Sequence, residues 1–149
     1  MLASYPALFY SSIGIDEPAE YFIHFPNFKN SATQGDDIHD ALIMASDWLG
    51  MNLVDYVANG EALPQPSDIN QLSLVNNNPF KNDPDFNLKY IPKESFISMV
   101  NVNLADYVEL DEPIEKKVTI PKWADERATS LHLDLGETLV DSILEKEIR

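Results

Sequence analysis

The chain has 149 residues, 44% of them hydrophobic, no cysteine, and ten basic against twenty-five acidic residues for a formal net charge of −15. That length suits one domain with a small appendage and the apolar content permits a packed core, while the missing cysteines exclude a disulfide framework, thiolate chemistry and a cysteine zinc site. No segment is long or apolar enough to span a bilayer and the N-terminus lacks a basic region followed by an apolar run, so no membrane partner is expected and the cytoplasm is the expected compartment.

In chain order, Tyr5 to Ile13 is a strand with apolar residues on both faces, Tyr5, Ala7 and Phe9 against Leu8 and Tyr10. Gly14 to Pro18 is a turn, and Tyr21 to Phe25 is a second strand closed by Pro26, giving an antiparallel hairpin. Ser31 to Gln34 adds a short third strand. Gly35-Asp36 then opens the longest helix, with Asp36 as the expected N-cap and acids in the first turn. Ile38, Ala41, Leu42, Ala45, Trp48, Leu49 and Leu53 form its apolar side, and Asn59-Gly60 ends it. Leu63-Pro64-Gln65-Pro66-Ser67 is a rigid connector and Asp68 to Leu72 one helical turn. Asn76 to Asp85, with three consecutive asparagines and two prolines, reads as a loop. Glu94 to Leu104 is a strand, Ala105 to Leu110 a short helix, and residues 111–114 a linker.

The last stretch, residues 115–149, is a separate unit of one strand and two helices. Glu115 to Ile120 alternates, with Val118 and Ile120 on one face and Lys117 and Thr119 on the other. Pro121 stops the strand and presets a helix over Lys122 to Ser130. Asp134 caps a second helix, whose Leu135, Leu139, Val140, Ile143, Leu144 and Ile148 make a broad apolar stripe. So short a unit buries too little surface to stand alone, and a lone strand leaves its ladder groups unpaired. A two-fold dimer meets both needs, the strand pairing antiparallel with its copy. The resulting ribbon is narrow enough for the DNA major groove, with Lys117 and Thr119 turned to the base edges.

Lys116-Lys117-Val118-Thr119-Ile120-Pro121, followed by two short helices with Gly136 near the start of the second, resembles a ribbon-helix-helix DNA-binding domain. In such a domain Glu115 would sit at the ribbon's end, and Lys122 with the amides of Gly136, Glu137 and Thr138 would suit phosphates. The front half has its own resemblance. Tyr5-Pro6-Ala7, an acidic turn, Phe25-Pro26-Asn27-Phe28 and Ala32-Thr33-Gln34-Gly35-Asp36 ahead of a long helix look like the HicB antitoxin family. That resemblance implies an α+β fold: a partial ribonuclease-H-like domain of antiparallel sheet and long helix over residues 1–110, then the DNA-binding tail. It also implies that the chain neutralises a small basic messenger-RNA-cleaving toxin, HicA, and represses its own operon as a homodimer or higher oligomer. The sequence departs from the family after the second strand, where the common Asp-Phe-Pro-Gly-Cys is Asn27-Phe28-Lys29-Asn30-Ser31.

Charge agrees with two different partners. Residues 1–110 hold only Lys29, Lys81, Lys89 and Lys93 against fifteen acids, whereas 113–149 hold six basic residues against eight acids. The larger part should repel nucleic acid and attract a basic protein. The candidate toxin-binding acids are Asp16, Glu17, Glu20, Asp36, Asp37 and Asp40, around the hairpin turn and helix start; capping is the competing role for Asp36 and Asp37. No enzyme is expected. A two-metal nuclease needs carboxylates on its central strands, and Ser4 to Ile13, Tyr21 to Phe25 and Ser95 to Leu104 contain none. His24, His39 and His132 are scattered singly, so no catalytic residue, metal site or cofactor is assigned. The alternative function is a stand-alone dimeric ribbon-helix-helix repressor whose front domain senses a ligand.

Overall fold

A computed structural model describes residues 2–12, 19–108 and 113–147. Its centre is the strand β1 (Leu2–Ser11) in a four-stranded antiparallel sheet with β2 (Tyr21–His24), β3 (Thr33–Gly35) and β4 (Phe96–Asn103), in the spatial order β3-β2-β1-β4. The register pairs Tyr10 with Phe22 on one side of β1 and Tyr5 with Val100 on the other. One sheet face carries Ala3, Tyr5, Ala7, Phe9, Val100 and Val102 into the core. The helix α1 (Ile38–Ala58) lies across it and seals it with Ala41, Ala45, Leu49 and Leu53, each fully buried. Phe25 stacks on Trp48 at 5.1 Å, and Phe28 meets Tyr5, Phe25, Trp48 and Tyr56 edge-on or tilted. Close approach of α1 to β3 requires glycine at 35, since a Cβ there would stand 2.4 Å from the backbone of Ala41.

The apolar residues on the other face of β1 are explained by a second cover. Residues 69–95, which include the expected helical turn, the expected loop and the first two residues expected in the last strand, run beneath the sheet. Tyr10 donates its hydroxyl to the Leu74 carbonyl at 2.7 Å and packs edge-on against Tyr90. Phe22 meets Phe80, which meets Phe86. The Ile91 amide donates to the Ser11 carbonyl, and the Ser11 amide to Ser95 Oγ. The segment has 3₁₀ turns at Ile69–Gln71 and Pro92–Glu94, and Asn and Asp side chains supply its turns. Asn77 Oδ1 accepts from the Ser73 amide, Asn78 Oδ1 from Phe80, and Asp83 Oδ1 from Asp85 and Phe86. So the run Asn76 to Asp85 is a lid on the sheet rather than a free loop.

Beside β1, β2 pairs only with Leu8 to Ser11. The connector takes the place β2 leaves open. Tyr5 donates to the Pro64 carbonyl at 2.6 Å, Asn27 Nδ2 donates to the Gln65 carbonyl and Ser67 Oγ, and Leu2 to Tyr5 border a shallow cleft with Leu63 to Pro66.

Helix α2 (Ala105–Val108) follows β4 and wedges Tyr107 against α1; a Cβ on Gly50 would come within 2.5 Å of that ring. In the tail, α3 (Lys122–Ser130) begins after Pro121 as expected, and α4 (Leu135–Glu147) follows. The segment 113–120 forms no strand within the single chain. The apolar stripe expected on α4 is divided: Leu144 (2% exposed) and Val140 join the front core, while Leu135, Leu139 and Ile143 face outward. Residue 148 lies outside the described residues. Among those described, no helix is long and apolar enough to cross a membrane.

Candidate functional site

Of the six acids expected to meet a protein partner, Asp16 and Glu17 lie outside the described residues. The other four converge. Antiparallel pairing of Tyr21 with Gly35 puts Glu20 and Asp36 one step beyond the same end of the ladder, next to the start of α1. The helix cap falls one residue later than expected: Asp37, not Asp36, is the N-cap, its Oδ1 accepting from the Asp40 amide at 2.8 Å. Asp40 in turn accepts from the Asp36 amide at 2.9 Å. The physical reason is β3, which holds the backbone extended through Gly35 and leaves Asp36 in the bend before the helix. Asp37 and Asp40 thus have a local structural role as well as a place on the acidic end.

The acidic surface continues where the sequence reading did not look. Asp47 and Asp55 are exposed on the outward side of α1, and no Lys or Arg occurs between residues 30 and 80. Ile38 and Leu42, assigned to the buried side, are about 40% exposed. The outward Met44 and Met51 are exposed as well. The missed signal was a repeat of acids and methionines at helical spacing.

In the tail, Glu115, Lys117 and Thr119 are all exposed on 113–120. Lys122 makes a surface ion pair with Glu126 at 3.6 Å, one helical turn on, which leaves it solvated and available. At the start of α4 the expected cap is present. Asp134 Oδ1 accepts from the Glu137 amide at 2.9 Å, and the Asp134 carbonyl accepts from the amide and the hydroxyl of Thr138. Within the single chain, therefore, two of the three amides expected to cradle a phosphate, and the Thr138 side chain, are turned onto Asp134; Gly136 stands beside them. The α3–α4 turn uses an unforeseen device. His132 adopts φ 55°, with its amide on the Thr129 carbonyl and the Leu133 amide on that of Ala128. This is a Schellman closure with histidine where glycine is favoured.

His24 is buried, its Nδ1 lying 2.9 Å from Ser31 Oγ and 3.0 Å from the Ser31 carbonyl, and burial holds its pKa below the usual value. Ser31 also donates to the Phe25 carbonyl and accepts from the Phe25 amide, closing the 25–31 loop. Asn30 takes φ 55°, a conformation asparagine tolerates. Among the described residues no three His, Asp or Glu side chains form a group able to hold a metal ion.

These features define a class: an acidic sheet-and-helix module joined to a short tail with unburied apolar side chains. A family model described as "HicB_like antitoxin of bacterial toxin-antitoxin system" matches residues 4–75. A chain of a solved toxin–antitoxin complex from Streptococcus pneumoniae is 50% identical, with 98% of this chain and 99% of that chain covered and a TM-score of 0.72. The crystal structure of the Burkholderia pseudomallei antitoxin HicB is 18% identical over 97% of this chain and 98% of that one, at a TM-score of 0.54, a likeness of fold. No curated protein sequence matches. The chain belongs to the HicB-like antitoxin family of bacterial toxin–antitoxin systems.

Proposed function

We propose that the chain neutralises a small basic, messenger-RNA-cleaving toxin through its acidic front domain and represses its own operon through a dimeric ribbon-helix-helix tail. On this reading the four-stranded sheet with α1 is the partial ribonuclease-H-like unit, over residues 1–110, and 115–149 is the DNA-binding unit. The observation that carries it is the tail's unfinished surface. Val118, Ile120, Trp123, Leu131, Leu135, Leu139 and Ile143 are all exposed, Trp123 to 71%, and 113–120 has no ladder partner among the described residues. A second tail supplies both at once: a β-ribbon from the two 113–120 segments, and an apolar floor from two pairs of helices. Such a ribbon presents Lys117 and Thr119 to base edges while Lys122 meets phosphate.

On the front domain the fifteen acids of residues 1–110 complement a cationic RNA-binding surface, so that one contact steers association and blocks RNA access. The test is to produce the chain with the protein encoded by the adjoining reading frame and to measure binding to their own promoter. We expect a small basic protein held in a complex that no longer degrades RNA. We also expect Thr119→Ala to weaken operator binding by about 1–3 kcal/mol without matching loss on random DNA. A chain that stays monomeric and binds the promoter no better than random DNA would refute the tail's role.

A further inference from the structure

Asp40, Met44, Asp47, Met51 and Asp55 follow one another at steps of four, three, four and four residues, the spacing that lines side chains along one face of a helix. The opposite face of α1 is the one sealed by Ala41, Ala45, Leu49 and Leu53, so this stripe points directly away from the sheet. It runs for about 22 Å, roughly four turns. Met51 is 61% exposed, and Ile43 on its flank equally so. A helix face meant only for water carries charged and amide side chains between its acids. Here the gaps hold methionine, the flexible, polarisable residue suited to irregular apolar contact.

Two of the three carboxylates are held in place. Tyr107, wedged at Gly50, donates its hydroxyl to Asp47 Oδ1 at 2.8 Å, and Asp40 is fixed by the Asp36 amide. Burial and the neighbouring carboxylates push the Tyr107 hydroxyl up to about 12, so it remains a donor at neutral pH. The stripe is thus a prearranged row of negative charge with an apolar seam. With no Lys or Arg in residues 30–80, the segment offers no internal counter-charge.

We propose that this face of α1 is the docking surface for a basic amphipathic helix of the toxin. Apolar side chains of that helix would lie on Met44 and Met51, and its Lys or Arg residues would reach Asp40, Asp47 and Asp55. Steps of three and four residues match the seam along which two helices pack at a shallow angle, which favours a helix over an extended strand as the occupant. A second copy of this chain would set the same acidic row against itself, a like-charge contact. The inference rests on the antitoxin reading and extends its protein interface from the hairpin turn and helix start, where Asp40 lies, along the outer face of α1.

The test uses the full chain and, as probe, the basic protein encoded by the adjoining frame, with affinity read by calorimetry. Met44→Ala with Met51→Ala should weaken binding about tenfold or more, and adding Asp55→Lys about tenfold again. Asp85→Lys, an equal change of charge on the lid over the other sheet face, should leave affinity within about twofold. Thermal melts should match wild type throughout, since the substituted side chains are exposed. Hydrogen exchange on the unsubstituted chain is an independent reading, with new protection expected over residues 40–55 in the complex. If the wild type binds while the double variant binds equally well and 40–55 gains no protection, the docking surface is refuted and the antitoxin reading survives. If the wild type ignores the probe, the reading itself fails. Variants that alter self-association but not toxin affinity would make the face a contact between copies, which also overturns the proposal.

Discussion

The front domain and the tail solve the burial problem in opposite ways. In residues 2–108 the sheet is covered on both faces by its own chain, by α1 above and the 69–95 segment below, and its aromatic residues interlock. In residues 113–147 the apolar side chains mostly face outward, with Ala128 and Leu144 the buried ones among those described. The front core is built almost wholly from its own segment, with Leu144 and Val140 of α4 added to it, whereas the tail keeps most of its apolar side chains at the surface. On the proposed reading, exposed hydrophobicity in the tail is information about stoichiometry, whereas burial in the front domain is information about stability.

The sharpest way to break this contrast is to damage the front domain. Phe25→Ala removes a fully buried ring packed between Trp48 and Phe28 and should cost about 3–5 kcal/mol, read as a lower urea midpoint. Damage to the tail should look different. Leu139→Arg places a charge among the exposed apolar residues of α4 and should shift the sedimenting species from dimer to monomer. Operator affinity should fall roughly a hundredfold, about 2.7 kcal/mol, while the front domain's unfolding curve stays in place.

Acid separates the halves again. His24 is buried in the front domain with its pKa lowered by desolvation. Its unfolded form takes up a proton near pH 6.5 and its folded form only at lower pH. Stability should therefore fall as pH drops below about 6.5 and level off once the folded form is protonated too; His24→Gln should flatten that part of the profile. The smallest effect is expected at the α3–α4 turn. His132→Gly relieves a left-handed conformation and should stabilise the turn by about 0.5–1 kcal/mol, seen as a slightly higher melting temperature of the full chain.

Periodicity made the regular elements legible. β1 with its two apolar faces, its antiparallel pairing with β2, α1, β4, and α3 after Pro121 stand close to where alternation or helical spacing puts them, β1 starting and ending earlier than expected; the turn expected at Gly14 to Pro18 lies outside the described residues. Asp36 and Asp37 show the limit of local signals, since two adjacent acids are equal as caps until β3 fixes where the extended backbone stops. The lid over the second sheet face escaped because Phe80, Phe86 and Tyr90 have no period; only the sheet they cover gives their spacing meaning. The α4 stripe was legible as apolar but not as divided, because sequence shows that a side chain must be covered without showing by what. For the same reason the acidic residues were read at the hairpin and helix start, while Asp47 and Asp55, spread along α1, passed as ordinary surface.

Pro64 and Pro66, lying where β2 leaves β1 uncovered, have one more consequence. Proline has no amide hydrogen, so this stretch can occupy the vacancy but cannot extend a hydrogen-bonded ladder through it. The far margin is β3, three residues long. Growth of the sheet by a foreign strand is thus discouraged on that flank, whereas β4, with eight uncharged residues, has no strand on its outer side among the described residues, its Asn101 carbonyl being taken by Ser46 Oγ; any misassembly of this antitoxin should begin there and proceed in one direction.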